Sequence, residues 1–413
     1  MSAQAQSPQE FDALRQQVQR LIEEVNTLKK AKSAEPVSTE PVTLQARVEK
    51  LESVEKAEAS TKGAVVAGDL PRSFRFPGSD TSVRFYGYAE VHAIHDLKAS
   101  GPNDLFTDLS SQPLNNSGEQ KGRTRFTAET SRLGFESATP IGTKALNTKL
   151  EMDFYSYGNN NRNRLRLRHA YGEYGDWLIG QTWSTFMDLD DLPETVDFNG
   201  PVGAPFSRRT MVRYTFGDIK TGYKFSFAAE DSEDQFGGGS NKERLPQLVA
   251  RYDQSFAWGA INVRALAHEK RSATETKRGF GFGVGGNYKL TDRDVLMGQY
   301  TRVNGDVDQL YGSNGYSIAG NGTITFDKNE GLVVGYARTF SNQLRGTLAY
   351  GMNRGKTAEA LDNRQLQQLF VNAIYSPIKN VELGTEFIYG KRKTFAGDTG
   401  TMSRFDLMGR YSF

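Results

Sequence analysis

The chain has 413 residues, a formal charge of +2, no cysteine, and 37% hydrophobic residues at a mean hydropathy of −0.58. Without cysteine, disulfides, thiolate catalysis and Cys-ligated metals are excluded, and no run of about eighteen apolar residues supplies a membrane helix. So small a net charge, with no basic cluster, also argues against nucleic acid as a partner.

Met1 to Gln6 read as a mature start after an added initiator Met, so secretion is inferred from the barrel-like pattern of the later residues and not from a visible signal peptide. From Phe11 the apolar residues fall at Phe11, Leu14, Val18, Leu21, Val25 and Leu28, in alternating steps of three and four. This heptad predicts a short coiled coil within residues 1–30. An amphipathic helix lying on its own domain is the alternative, although the stripe is only two positions wide. Val at a with Leu at d favours a dimer in an isolated parallel coil. Residues 31–77, rich in Ala, Ser, Thr, Glu, Lys and Pro, read as a flexible linker interrupted by Pro36 and Pro41.

From Val83 the hydrophobic period changes to two. Val83, Phe85, Gly87, Ala89 and Val91 share one face of a first strand, opposite Arg84, Tyr86, Tyr88, Glu90 and His92. The same alternation recurs to the end of the chain, where Phe405, Leu407, Gly409, Tyr411 and Phe413 oppose Arg404, Asp406, Met408, Arg410 and Ser412. Alternation suits a soluble sandwich as well as a membrane barrel. Low hydropathy, 11% aromatic residues and turns that alternate between short, as at Gly217-Asp218 and Thr291-Asp292, and long, as at Ser232 to Arg244 and Glu269 to Arg278, favour the barrel, whose lumen is polar and whose external loops are long. An even strand count assigns Val303 to Asn329 to one external loop, which leaves about sixteen strands. The fold class expected is therefore an all-β transmembrane antiparallel barrel over residues 78–413.

Residues 184–207 form a long segment carrying Asp188, Asp190, Asp191, Glu194 and Asp197 with three prolines. A loop of that length is uncommon unless it is functional or disordered. The run Gly279 to Gly286 alternates Gly with Phe, Phe and Val and is followed by no helix, so it reads as a strand with a small-residue inner face, not a nucleotide loop. His92 and His95 point to opposite strand faces, which leaves no metal site to propose. The sequence offers no catalytic constellation and calls for no cofactor.

Selection is expected in the lumen. Arg164, Arg166 and Arg168 are placed on one strand face, with Arg209, Arg213, Lys224, Arg251 and Arg264 on following strands and Arg345, Arg392, Arg404 and Arg410 on later ones. Arginine suits an anion pore because its planar fork stays charged and grips carboxylate bidentately. The competing reading is that these arginines only balance lumen acids such as Glu151, Asp153, Glu382, Glu386 and Asp406.

The amino-terminal heptads, Val83 to Tyr88, Ser131 to Phe135, Arg164 to Tyr171, Asn380 to Gly384, Tyr389 to Arg392 and the terminal Phe413 together resemble the DcaP-type porins along nearly the whole chain. The resemblance implies a trimeric sixteen-stranded channel in the bacterial outer membrane with a periplasmic coiled coil, taking up small organic anions such as dicarboxylates. It also implies that residues 184–207 are the third external loop, folded inward as a constriction. The acids of that loop either pair with wall arginines across the aperture or weaken anion preference. A structural or adhesin barrel tethered through its coiled coil is the alternative. A lipid-modifying enzyme would need a lipid-facing catalytic group, and none is seen.

Overall fold

The computed structural model describes residue 23 and residues 65–98, 106–115, 121–155, 164–234, 243–356, 359 and 362–413. The chain divides into two compact units, residues 1–64 and 65–413. The expected coiled coil and most of the expected linker fall in the first unit, outside the described residues apart from Glu23.

The second unit is a closed antiparallel barrel of sixteen wall strands. They are β1 (Ser82–Lys98), β2 (Arg132–Ile141, preceded on the same edge by Arg123–Thr127), β3 (Lys144–Asp153), β4 (Arg166–Tyr174), β5 (Trp177–Trp183) and β6 (Arg208–Asp218). Next come β7 (Tyr223–Glu230), β8 (Gln247–Phe256), β9 (Gly259–Arg271), β10 (Thr276–Lys289) and β11 (Asp294–Asn304). The wall ends with β12 (Lys328–Thr339), β13 (Leu344–Gly355), β14 (Asn363–Tyr375), β15 (Val381–Thr394) and β16 (Thr399–Ser412). Each strand pairs with the next, and β16 pairs with β1 through Tyr411 with Ala89 and Leu407 with Ala93, which closes the sheet. Closure leaves no unpaired edge, the condition for a sheet to sit in lipid.

Two details differ from the sequence-based expectation. Residues 269–278, expected as a long external loop, are mostly wall: Glu269 pairs with Arg278 and Lys270 with Lys277, so only residues 272–275 turn. The charged residues there continue the strand above the apolar zone. Within the stretch expected as linker, Val66–Ala67 pairs with Phe74–Arg75, which in turn pairs with Ser82 and Val83 at the base of β1. The segment 305–327 stays outside the wall as expected, with its own small hairpin, Tyr316–Ile318 against Ile324–Phe326.

Alternation sorts the side chains. Phe85, Val91, Leu133, Leu150, Ile179, Phe227, Leu248, Phe280, Leu348 and Leu407 are exposed on the outer surface, while Glu90, Asp96, Glu151, Asp153, Arg264, Glu386 and Asp406 are buried inside. This inversion of a soluble core is what lipid outside and water inside select.

Candidate functional site: an inward loop facing a cationic wall

The 184–207 loop begins and ends with a backbone bond from Ser184 N to Ser207 O of 3.0 Å, and it runs across the barrel interior. Glu230 holds its start by accepting from Ser184 Oγ and from Thr185 N, both at 2.7 Å. Phe186 is then buried against Leu178, Met211, Val249 and Leu266. Asn262 Nδ2 bonds Asp188 at 2.7 Å and Asp191 at 2.8 Å, while Asn287 reaches the other oxygen of Asp191 at 2.8 Å. Farther along, Arg345 clasps Glu194 and Glu386 accepts from the amides of Val196 and Asp197 at 3.0 and 2.8 Å. Asp197 accepts from Thr107 N at 2.8 Å, and Gln368 accepts from Val202 N at 2.9 Å.

Glycines on the inner wall make this docking possible. A methyl group at Gly285 would collide with the Asp188 carboxylate, and one at Gly351 would collide with Val202 O. The inner face of β10, formed by Gly279, Gly281, Gly283 and Gly285, accommodates His268, Phe186, Arg264 and the Asp188/Asp191 pair in turn. The small-residue face foreseen in the sequence is thus a bed for the loop.

Of the five loop acids, Asp188, Asp191 and Asp197 are buried and Glu194 is engaged by Arg345, whereas the Asp190 side chain is 76% exposed. Burial and the adjacent Asp188 carboxylate push the Asp191 carboxyl up to about 7.

The opposite wall is cationic. Arg166 grips Asp153 through two bonds of 2.9 and 2.7 Å, and Arg168 bridges Glu151 and Asp153 at 2.8 Å each. Arg132 lies 3.4 Å from Glu151, and Lys149 lies 4.0 Å from it. The β3–β4 register shifts at Glu151/Met152, so Arg168 is an inserted residue and both it and His169 turn inward. Arg164 precedes β4 and is exposed, so the expected three-step ladder reduces to Arg166 and Arg168 on the strand.

Two cavities flank this wall. The external one, about 280 Å³, is lined by Tyr155, Arg166, Phe198, Phe206, Asp308 and Tyr311. The other, about 460 Å³, lies toward the short turns and is lined by Glu173, Trp183, Asp190, Arg213, Lys224 and Arg251. Trp183 and Phe206, with ring centroids 5.1 Å apart, stand between them. Arg208 lies over Trp183 at 3.8 Å and Arg168 at 5.9 Å.

The sequence-predicted residues therefore divide. Arg166, Arg213, Lys224, Arg251 and Asp190 line open space. Arg209 and Arg264 point inward but are sealed: Arg209 bonds Asp308 at 2.8 Å, and Arg264 donates to Phe186 O at 2.9 Å. They anchor loops. Arg404, also fully buried, pairs with Asp96 at 2.9 Å, while Arg392 holds Gln112 O at 2.7 Å. Arg410 bridges Glu90 and Glu382. Sequence reasoning missed Arg132, Lys149, Trp183, Phe206 and Arg208. Only the position of Trp183 and Arg208 at the two feet of the loop could have signalled them.

A closed sixteen-stranded barrel with a water-facing polar interior and an inward-folded third loop defines an outer-membrane porin, a channel through the bacterial outer membrane. The family model described as DcaP outer membrane protein matches residues 52–413, and the chain belongs to this family. The crystal structure of the outer membrane channel DcaP of Acinetobacter baumannii is 31% identical, with a TM-score of 0.76, covering 84% of this chain and all (100%) of that one. The trimer form of OmpT of Vibrio cholerae (12% identical, TM-score 0.55, 81% of this chain and 99% of that one) shares the fold. So does an anion-selective porin from Comamonas acidovorans (13% identical, TM-score 0.54, 81% of this chain and 100% of that one). No curated protein matches the chain.

Proposed function

We propose that this porin is a passive diffusion channel that prefers small organic anions, dicarboxylates above all. The observation that carries the reading is how the loop acids are used: Asp188, Asp191 and Asp197 are buried in docking and Glu194 is clasped by Arg345, which leaves Asp190, while Arg166, Arg213, Lys224 and Arg251 border the two cavities. On the wall, Glu136, Glu151 and Asp153 face Arg84, Arg132, Lys149, Arg166 and Arg168, so the local balance stays positive. A row of cations in a narrow aqueous lumen raises the local anion concentration and passes a carboxylate from fork to fork.

Reversal potentials under a salt gradient test the reading. Anion preference is expected, with dicarboxylates blocking chloride current more than monocarboxylates. Replacing Arg166→Gln and Arg213→Gln together should weaken both effects. A wild type that prefers cations would overturn it and make the arginines counter-charges of the loop acids.

The proposal extends to a homotrimer joined mainly by barrel walls, with residues 1–30 as a periplasmic coiled coil on a linker. A trimer form is described for the OmpT barrel. Native mass measurement of the full chain should give three copies, and deletion of Phe11 to Leu28 should lower heat resistance without dissolving the trimer.

A further inference from the structure

The lipid-facing series of four strands, β11, β12, β13 and β15, turns cationic at the external end of the wall, while β14 between them carries Gln367 and Gln365 there. On β11 the outward residues run Leu296, Gly298 and Tyr300, then Arg302. On β13 they run Leu348, Tyr350 and Met352, then Arg354 and Lys356, and on β15 Phe387 and Tyr389, then Lys391 and Lys393. β12 contributes Val334 and Leu332, then Glu330 and Lys328. Arg302, Lys328, Arg354, Lys356 and Lys391 are exposed.

The belt is not a general feature of the rim. On β1, β5 and β6 the corresponding outward positions carry His95, Gln181 and Thr210, and Leu165 occupies the approach to β4. The exposed cations concentrate on one arc, from Arg278 on β10 to Lys391 on β15.

Their height is set by the wall itself. A tilted strand climbs about 2.5 Å per residue, so the eight or so residues from the start of β11 to Arg302 cross most of the ~25 Å apolar band of an outer-membrane barrel. The belt therefore begins where acyl chains end and headgroups begin. Glu330 sits among these cations, 2.8 Å from Lys356 and 3.9 Å from Arg302, and holds the two long side chains toward one another across the strand pairing. Guanidinium and ammonium groups fixed at one level, over several strands, match anionic phosphates arranged in a plane.

We propose that this arc binds phosphorylated glycolipid of the outer leaflet, with sugar-linked phosphates seated on Arg302, Arg354, Lys356 and Lys391 and acyl chains lying on the apolar wall below. The side of the rim from β2 to β6 leaves the contact one-sided.

The test is native mass spectrometry of the full-length protein in detergent with added diphosphorylated lipid A. The wild type should retain it, and a variant carrying Arg302→Gln, Arg354→Gln, Lys356→Gln and Lys391→Gln should lose retention roughly tenfold or more. Lipid A stripped of phosphate should be held as weakly by the wild type as intact lipid A is by the variant. Heat-modifiable gel mobility and unitary conductance of the variant should match the wild type, which separates loss of the site from loss of the fold and from any change in selectivity. A control with Lys220→Gln and Lys289→Gln at the opposite end should bind normally. Equal retention of dephosphorylated lipid A, equal retention of phosphatidylglycerol, or full retention by the folded four-site variant would each overturn the assignment.

Discussion

Arg345 on β13 and Glu194 on the inward loop form a two-pronged ion pair, Nε to Oε2 and Nη2 to Oε1, both at 2.8 Å. Arg345 also donates to Glu382 on β15 at 2.6 Å, so one guanidinium ties the loop to two wall positions. The Glu194 side chain is 44% exposed, which limits its contribution to stability to about 1 kcal/mol or less. Glu194→Gln should therefore leave the thermal midpoint almost unchanged while open-channel current noise rises. A large fall in thermal stability would show that the pair supports the barrel and does not merely latch the loop.

The glycine bed predicts a different outcome. Gly285→Val places bulk where the Asp188 carboxylate and Asn262 already meet. The wall strand tolerates Val, so the loop must yield, at a cost of about 1–3 kcal/mol. The variant should insert, show faster proteolysis within residues 184–207 and conduct more current. Unchanged protease resistance would mean that the loop does not depend on this contact.

The same contact carries a pH dependence. Asp191 is faced by Asp188 and Asp190 on the loop, Asn262 and Arg264 on β9, and Asn287 on β10, while Arg251 on β8 pairs with Asp188 and Asp190. Its carboxyl is raised to about 7 by burial and by Asp188. Released from the loop site the carboxyl ionises near the ordinary value of about 4, so between about pH 4 and pH 7 docking requires it to take up a proton; docking therefore weakens as pH rises across that window and is level above about 7. Protease resistance of the loop should fall from pH ~4 to pH ~7 and level off above that. Asp191→Asn should flatten that profile; a profile that persists in the variant would exclude Asp191 as its source.

The wall was legible because lipid imposes a strict two-residue period on every strand, and because an even count decided the status of residues 303–329. Placing the inner arginines needed only parity. Parity fails at Arg168 and His169, where one inserted residue turns two consecutive side chains inward, and an insertion of that kind has no compositional mark. Nor does sequence distinguish an arginine that lines water from one that anchors a loop. Arg213 and Arg209 lie on the same inner face of β6, yet Arg209 is sealed because Asp308 reaches it from the loop after β11, ninety-nine residues away. Contacts of that range are set by how loops fill the lumen. The acids of residues 184–207 were identified by type, but only docking determines that Asp188 is buried and Asp190 exposed.

The narrow place between the two cavities yields the sharpest test of selectivity. Trp183 ends β5 and Arg208 begins β6, so both stand at the feet of the loop, where neither can swing far without breaking wall pairing. Trp183 and Phe206 offer ring faces and edges, and Arg208 and Arg168 set positive charge beside them. A planar carboxylate moving from Arg166 toward Arg213 meets charge and aromatic surface together, so its passage depends on both. Losing one charge-assisted contact of about 1.5 kcal/mol would weaken binding roughly tenfold. Arg208→Gln should therefore weaken dicarboxylate block of chloride current by about that factor and shift the reversal potential toward neutrality. Arg208→Lys keeps the charge but loses the planar fork, so it should restore the reversal potential while leaving block weaker. Trp183→Ala should raise conductance for all ions and reduce discrimination between them. If Arg208→Gln changes neither block nor reversal potential in a folded channel, solutes do not pass between Trp183 and Phe206, and the route must run along the loop's other side.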